Sequence, residues 1–260
     1  MLSSFMLKIQ SIASGSQGNC TYIASDTTHI LVDIGLSLRE VTSRLRSVDI
    51  NPETITAILI THEHNDHIHG VANFAKKMGA TIYMPKGFGH LVDAPSTSFD
   101  DTFQIGDITV SFCPVPHDSK FCYSYAFTKD DSKVALATDL GKATPQLLDH
   151  LSGSQVVLLE CNFDIVKLQN NVKYPMMLKR RIMGGTGHLS NTAASLAIYE
   201  LAKSGVDQII LAHLSQKNNS PNLAFNTVVD FLRTKGIIEG KDIAIDVASQ
   251  DRPGRAFIIS

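Results

Sequence analysis

No CxxC pair occurs among the four cysteines, Cys20, Cys113, Cys122 and Cys161, which lie far apart or at odd spacings. That excludes a disulfide framework and a thiolate zinc site, and it points to small apolar core residues in a reducing cytosol. Neither sign of charge is in surplus. The 260 residues carry a net charge of −2, so no global basic field advertises nucleic-acid binding, and any such binding needs a local patch. The start of the chain lacks a basic end followed by a long apolar stretch, and no run reaches the length of a membrane span. Neither a signal peptide nor a membrane partner is expected. No Pro/Gly/Ser-rich linker and no low-complexity tract divides the sequence, which reads as one domain over residues 1–260. The five residues before Met6 read as an unstructured extension or a start-site artefact.

What is present is a dense series of strand and helix signals. Leu7 to Ala13, Cys20 to Ala24 and His29 to Asp33 read as strands, the last two joined by the hairpin signal Asp26-Thr27-Thr28. Ser37-Leu38-Arg39-Glu40 has the spacing of a capping box and opens a helix through Val48. Ala57 to Ile60 is a buried strand, and Ile68 to Met78 a helix closed by Gly79. Residues 81–84, 103–113, 122–128 and 133–138 follow as strands. Helices at Pro145 to Leu151, Asn191 to Lys203 and Pro221 to Lys235 then alternate with strands at Val156 to Glu160 and Gln208 to Ala212. Two short strands near 243–247 and 256–259 finish the chain. These strands outnumber what one doubly wound sheet uses. Two sheets packed face to face, with helices on both outer sides, account for them better. Each half starts with strands and continues into helices, a hint of duplication without a sequence repeat.

Directly after Thr56-Ala57-Ile58-Leu59-Ile60 comes Thr61-His62-Glu63-His64-Asn65-Asp66-His67. It places four donors, His62, His64, Asp66 and His67, on one turn at a strand end. Imidazole and carboxylate at this density suit more than one ion of Zn²⁺, Mn²⁺ or Fe. His117 follows the strand ending Phe112-Cys113, Asp139 follows Val134 to Thr138, and His213 follows Ile209 to Ala212. His188 lies in the Gly-rich loop Gly184-Gly185-Thr186-Gly187 before a helix. Loops off buried strands are where a rigid scaffold presents ligands. His69 falls one helical step beyond the cluster and reads as a non-ligand.

The order HxHxDH, His, Asp, His resembles the metallo-β-lactamase fold superfamily. The resemblance implies an α+β, four-layer αβ/βα sandwich of two mixed β-sheets flanked by helices, with a two-metal site. It implies His62, His64 and His117 on one ion, Asp66, His67 and His213 on the other, and Asp139 bridging both. No cysteine stands at a ligand position, which departs from the lactamases that use one and leaves an all-N/O set for two divalent ions, Zn²⁺ or Mn²⁺, with Fe as a further candidate. Two cations roughly 3.5–4 Å apart can share a water and lower its pKa toward neutrality. The metals alone do not separate phosphodiester from thioester or lactone hydrolysis.

Three features tilt toward phosphate. Ser14-Gly15-Ser16-Gln17-Gly18-Asn19 is a small-residue loop whose N–H groups and hydroxyls could cradle an anion. The stretch Ile165 to Tyr199 holds Lys167, Lys173, Lys179, Arg180 and Arg181 and no acidic residue. Just after the basic run, Gly187-His188-Leu189-Ser190-Asn191 sets a His and a hydroxyl at a helix N-terminus.

These blocks, together with Ala137 to Gly141, Leu159-Glu160, Tyr174-Pro175, Leu211 to Ser215 and Asn218-Asn219, resemble the bacterial YycJ/WalJ group of DNA exonucleases nearly end to end. That resemblance implies a 5′-to-3′ exonuclease acting on 5′-phosphorylated DNA ends through a metal-bridging hydroxide. It implies Asp66 and His188 as catalytic residues and Ser14, Ser16, Asn19, His188 and Ser190 around the 5′-phosphate. Lys179 and Arg181 would contact the DNA backbone. The chain departs from the group's pattern at Phe163, where a His often precedes the Asp, and at Phe121 to Ser124, where a Pro and a Gly are usual. DNA is thus the expected partner, and the composition is compatible with a homo-oligomer. The alternatives are a small-molecule hydrolase, either a cyclic or oligonucleotide phosphodiesterase or a glyoxalase-like thioesterase, and a non-catalytic binding module stabilised by metal.

Overall fold

The computed structural model describes residues 6–86, 92 and 94–260. The five residues before Met6, expected as an extension, lie outside the described residues. The first half supplies strands β1 (Leu7–Ala13), β2 (Cys20–Ala24), β3 (His29–Val32), β4 (Ala57–Leu59), β5 (Thr81–Pro85) and β6 (Ser96–Phe99). The second supplies β7 (Phe103–Ile105), β8 (Ile108–Pro114), β9 (Tyr123–Lys129), β10 (Ser132–Ala137), β11 (Val156–Glu160), β12 (Gln208–Ala212) and β13 (Ala244–Val247). The last strand, β14 (Phe257–Ile259), returns to the first sheet beside β1.

Both sheets have seven strands, in the orders β14-β1-β2-β3-β4-β5-β6 and β13-β12-β11-β10-β9-β8-β7. In the first, β1, β2 and β3 form an antiparallel meander and β3 to β6 run parallel. In the second, β8, β9 and β10 form the meander and β10 to β13 run parallel. The duplication hinted at by the sequence therefore takes form as a repeated topology, with β14 and β7 added at the ends.

Helices α1 (Leu38–Arg46), α2 (Asn65–Ile68) and α3 (Val71–Met78) belong to the first half. The second half carries α4 (Pro145–Leu151), α5 (Ile165–Asn170), α6 (Met176–Met183), α7 (Asn191–Lys203) and α8 (Pro221–Thr234). Ile9, Ile23, Ile30 and Val32 of one sheet meet Val110, Phe127, Leu136 and Leu158 of the other in a dry central layer. The opposite face of the first sheet packs on Val41, Leu45 and Phe74 from α1 and α3. That of the second packs on Leu147, Ile198 and Val228 from α4, α7 and α8. Helix–sheet–sheet–helix is the four-layer sandwich expected from the strand count. Among the described residues, no helix is long and apolar enough to cross a membrane.

Three local departures from the sequence reading have physical causes. The helix expected from Ile68 to Met78 is broken in two. Gly70 donates its N–H to Ile34 O at 2.7 Å, and a Cβ there would lie 2.1 Å from Leu36 O, so tertiary contact overrides helical periodicity. The strand expected over 103–113 is a hairpin turning at Gly106-Asp107, and Asp107 accepts from Ser25 Oγ, Thr28 Oγ1 and Lys129 Nζ. One carboxylate thus ties a turn of the first sheet to the second. Strand β6 was not expected, because Ser96-Thr97-Ser98 is exposed and lacks apolar alternation; it exists by parallel pairing with β5. Helices α5 and α6 likewise form where the sequence shows only a basic stretch.

Candidate metal centre

The parallel strands end at one rim, and the chain turns sharply there. Asp33 follows β3, Asp139 follows β10 and His213 follows β12, with φ of 59°, 58° and 55°. Non-glycine residues enter this left-handed region at a cost, and such strain clusters where a scaffold must aim a side chain. After β4 the chain instead enters α2, with His64 as N-cap residue and Asp66 and His67 in its single turn.

Gly35 lets this turn approach β3. A Cβ on Gly35 would sit 1.7 Å from Asp66 O. Asn19 bridges the two segments: its N–H donates to Asp66 O at 2.8 Å, its carbonyl accepts from Gly35 N at 2.9 Å, and its amide Nδ2 lies 2.9 Å from His67 Nε2.

The structure brings the predicted donors together in overlapping groups. Donor atoms of His62, His64 and His117 lie within 4.8 Å of one another, as do those of Asp66, His67 and His213. Asp139 groups with His62 and His67 on one side and with Glu160, His188 and His213 on the other. It therefore stands between the two triads. Burial keeps His62 neutral, lowering it well below the usual imidazole range, which suits coordination. Burial would lower His67 too, but Asp139 and Asp33 raise it to about 10. For Asp139, burial is overcome by His213 and His67, which hold it ionised.

The residues fit cations on a structural test. His62 Nε2, Asp139 Oδ2 and His213 Nε2 are buried and have no hydrogen-bond partner in the protein. Asp139 Oδ2 is 3.0 Å from His67 Nε2 but out of line for a hydrogen bond. Unpaired buried nitrogen and oxygen are costly unless something binds them. That the three orphans belong to three different expected ligand positions argues that the something is metal.

Two carboxylates that the sequence reading left out complete the centre. Asp33 accepts from Thr61 N at 2.8 Å and Thr61 Oγ1 at 2.7 Å and meets His67 Nδ1 at 2.8 Å, which fixes the ring for coordination through Nε2. Glu160, fully buried at the end of β11, lies 2.8 Å from both His188 Nδ1 and His213 Nδ1. Its other oxygen accepts from the N–H groups of Leu140 and Leu189. Each follows an apolar strand, the same signal that marked Asp139 and His213.

The expected substrate residues divide. His188 stands at the mouth with its side chain 24% exposed, and Ser16 is exposed. Arg181, also exposed, pairs with Asp118, whose Oδ1 is 3.4 Å from His117 Nε2. Ser14, Asn19 and Ser190 have internal partners: Ser14 Oγ accepts from His213 N at 2.7 Å, and Ser190 caps α7. Lys179 departs from the expectation. It is buried, and its ammonium donates to Gln169 O at 2.6 Å, tying α6 to α5. The Asn218-Asn219 block is also structural, since Asn219 Nδ2 donates to Cys161 O, Asn162 O and Asn191 Oδ1 and so joins the loops bearing His188 and His213.

A family model described as a beta-lactamase superfamily domain matches residues 28–214. The exodeoxyribonuclease WalJ of Streptococcus pneumoniae is 34% identical over 262 aligned positions, covering 96% of this chain and 97% of the relative. The exodeoxyribonuclease YycJ of Bacillus anthracis is 34% identical over 244, covering 90% and 92%. The metallo-beta-lactamase fold protein YhfI from Bacillus subtilis superposes with a TM-score of 0.73 at 16% identity, covering 97% of this chain and 99% of that one, which shows a shared fold. The chain belongs to the beta-lactamase superfamily, and within it to the group of the WalJ and YycJ exodeoxyribonucleases.

Proposed function

We propose that the protein is a two-metal phosphodiesterase that degrades DNA from 5′-phosphorylated ends in the 5′-to-3′ direction. The observation that carries this reading is the pair of donor triads, with Asp139 grouped with members of each and the Glu160–His188 pair beside them. His62, His64 and His117 would hold one ion, Asp66, His67 and His213 the other, and Asp139 both. When bound, two such cations, zinc or manganese by the donor chemistry and with iron as a third candidate, supply Lewis-acid charge for a phosphoryl group and for the attacking water. The protein's own part is to fix the ligands and manage the proton. Glu160 accepts from His188 Nδ1, which orients the ring and favours its protonated form, leaving Nε2 to hand a proton to the departing 3′-oxygen.

The exposed Ser16 and Arg181 and the partly exposed His188 suit a terminal phosphate, while Ser14, Asn19 and Ser190 act by holding the surrounding backbone. Four buried free cysteines suit a reducing cytosol.

The test is Mn²⁺-dependent digestion of 5′-phosphorylated duplex DNA beside bis(p-nitrophenyl) phosphate. Release of mononucleotides, slowed when the end carries a 5′-hydroxyl, is the expected result. Fast turnover of the small ester with no loss of DNA would replace this reading by a small-molecule hydrolase.

A further inference from the structure

Six of the nine exposed large apolar side chains among the described residues lie between Ile165 and Met183, in the hairpin made by α5 and α6. Val172 at its tip is 95% exposed and Met177 is 83% exposed. The hairpin is not loose. Asp164 caps α5 by accepting from Lys167 N, Asn171 Nδ2 donates to Asn218 Oδ1 at 2.7 Å, and Lys179 locks α6 onto α5. A rigid element that presents valine and methionine to solvent is held ready for a partner.

Charge defines that partner. On one side of the tip is a surface depression of about 430 Å³ lined by Val166, Lys167, Asn170, Asn171, Lys173 and Lys217, with no acidic residue. Outside that depression, Arg180 and Arg181 lie one helical turn beyond Met176 and Met177, hence on the same face of α6. The arginine end of α6 runs into the metal centre, since Gly187 O, just past it, lies 3.1 Å from His117 Nδ1 and Arg181 meets Asp118. Two basic clusters therefore border one apolar ridge, and of the two it is the arginine pair that meets a side chain beside a proposed metal ligand, Arg181 on Asp118 next to His117. A second copy docked on this surface by a twofold axis would set basic side chains against basic side chains.

We infer that the α5–α6 hairpin is a wedge that parts the terminal base pairs of a DNA duplex. Val172, Met176 and Met177 insert against the opened bases, as apolar side chains do where proteins unstack a base step. The strand to be cut follows Arg180 and Arg181 to the metal centre. Its complement is led away along Lys173 and Lys217. This rests on the nuclease reading and adds how duplex ends are made accessible to a site that cuts one strand.

The experiment uses a blunt 5′-phosphorylated duplex with 2-aminopurine in its terminal pair and compares the full chain with the V172S/M177S variant. In EDTA, the wild-type protein raises the 2-aminopurine emission several-fold on binding, and the variant leaves it near that of free duplex. With Mn²⁺ restored, the ratio of duplex to single-strand digestion falls at least tenfold in the variant and is regained on a duplex with a frayed, mismatched end. No emission rise with wild type, or an equal rise with both, overturns the wedge, as does an unchanged digestion ratio. So does a variant that differs only in binding phosphatidylserine vesicles or in sedimenting mass, which would assign the ridge to a membrane or to a second copy. Wild-type protein that digests neither DNA form overturns the nuclease reading itself. Digestion of both forms, with the variant equal to wild type, overturns the wedge alone.

Discussion

Asp33 and Asp139 flank His67 from opposite sides: Asp33 Oδ2 is 2.8 Å from its Nδ1, and Asp139 Oδ2 is 3.0 Å from its Nε2. The two aspartates lie just past the third strand of their meanders, β3 and β10, with nearly the same φ. Backbone position is where the equivalence ends. Asp33 is saturated by Thr61 and His67, whereas Asp139 keeps an oxygen without a hydrogen-bond partner. In one half of the repeated topology the aspartate is spent on orienting His67, and in the other it keeps an oxygen available to the proposed metal ions.

The difference predicts two separable metal defects. Asp139→Asn, which removes a charge shared by both triads, should lose both ions on dialysis. Asp33→Asn should still hold two ions at saturation but about 10- to 100-fold more weakly, the usual effect of losing an outer partner of a ligating histidine. Metal analysis after equilibrium dialysis separates them. Retention of two ions by Asp139→Asn would contradict its bridging position.

Gly35→Ala should act on the centre without replacing any ligand side chain. The added methyl meets Asp66 O at 1.7 Å, a backbone atom that cannot swing aside, and it would also crowd Asn19 N at 2.8 Å. Relief requires the α2 turn to move, taking Asp66 and His67 with it. The expected result is a stability loss of about 2–3 kcal/mol, as for other overpacked interiors, together with weakened binding of one ion more than the other. Urea unfolding and metal titration of the same preparation measure both. A stable variant with two equal, unchanged affinities would show that the close approach is not what sets the turn.

How far the centre was legible in the sequence follows from how its donors are spaced. His62, His64, Asp66 and His67 announce themselves because four donors fall in one turn. His117, Asp139 and His213 are readable because each ends an apolar strand and the set recurs within one chain. Glu160 and Asp33 obey the same rule, yet a single carboxylate after a strand has no chemistry until folding sets it against an imidazole. Close approaches are less visible still. Gly35 against Asp66 and Gly70 against Leu36 leave no periodic trace, and so the break between α2 and α3 was missed. Strand β6 was illegible for the opposite reason, being a polar edge strand made only by its neighbour. Lys179 shows the limit of reading charge: its basic neighbours are exposed, while it faces inward.

That contrast yields a prediction for two of the three cations of α6, Lys179 and Arg181. Lys179→Met removes the donor to Gln169 O and should cost about 1.5–3 kcal/mol of stability, the net worth of a hydrogen bond from a charged group, while leaving the salt dependence of DNA binding unchanged. Arg181→Ala should do the reverse, lowering the slope of log K against log salt by about 1 if it contacts one phosphate. Anisotropy titrations of a 5′-phosphorylated duplex in EDTA, at several salt concentrations, measure the slope. An unaltered slope for Arg181→Ala would assign that side chain to Asp118 alone.

Away from the metal centre, His150 should set an acid limit on stability. It sits in the last turn of α4 with Nε2 buried and unpartnered, and Lys133 Nζ donates to its carbonyl at 2.8 Å. Burial, and then the charge of Lys133, lower its pKa from 6.5 to about 4. The neutral ring is therefore favoured by the fold. Its contribution is fully present above the unfolded value of 6.5 and is lost as pH falls toward 4, because the unfolded chain takes up the proton first. With each pKa unit worth about 1.4 kcal/mol, and with the ring only partly shielded from solvent, the loss across that window should be about 1–2 kcal/mol. His150→Leu has no proton to gain. Its unfolding free energy should be flatter than wild type between pH 6.5 and 4 and no different in slope above pH 7. Parallel curves for the two proteins throughout that window would mean that His150 is protonated in the fold at no cost, and that the acid sensitivity lies elsewhere.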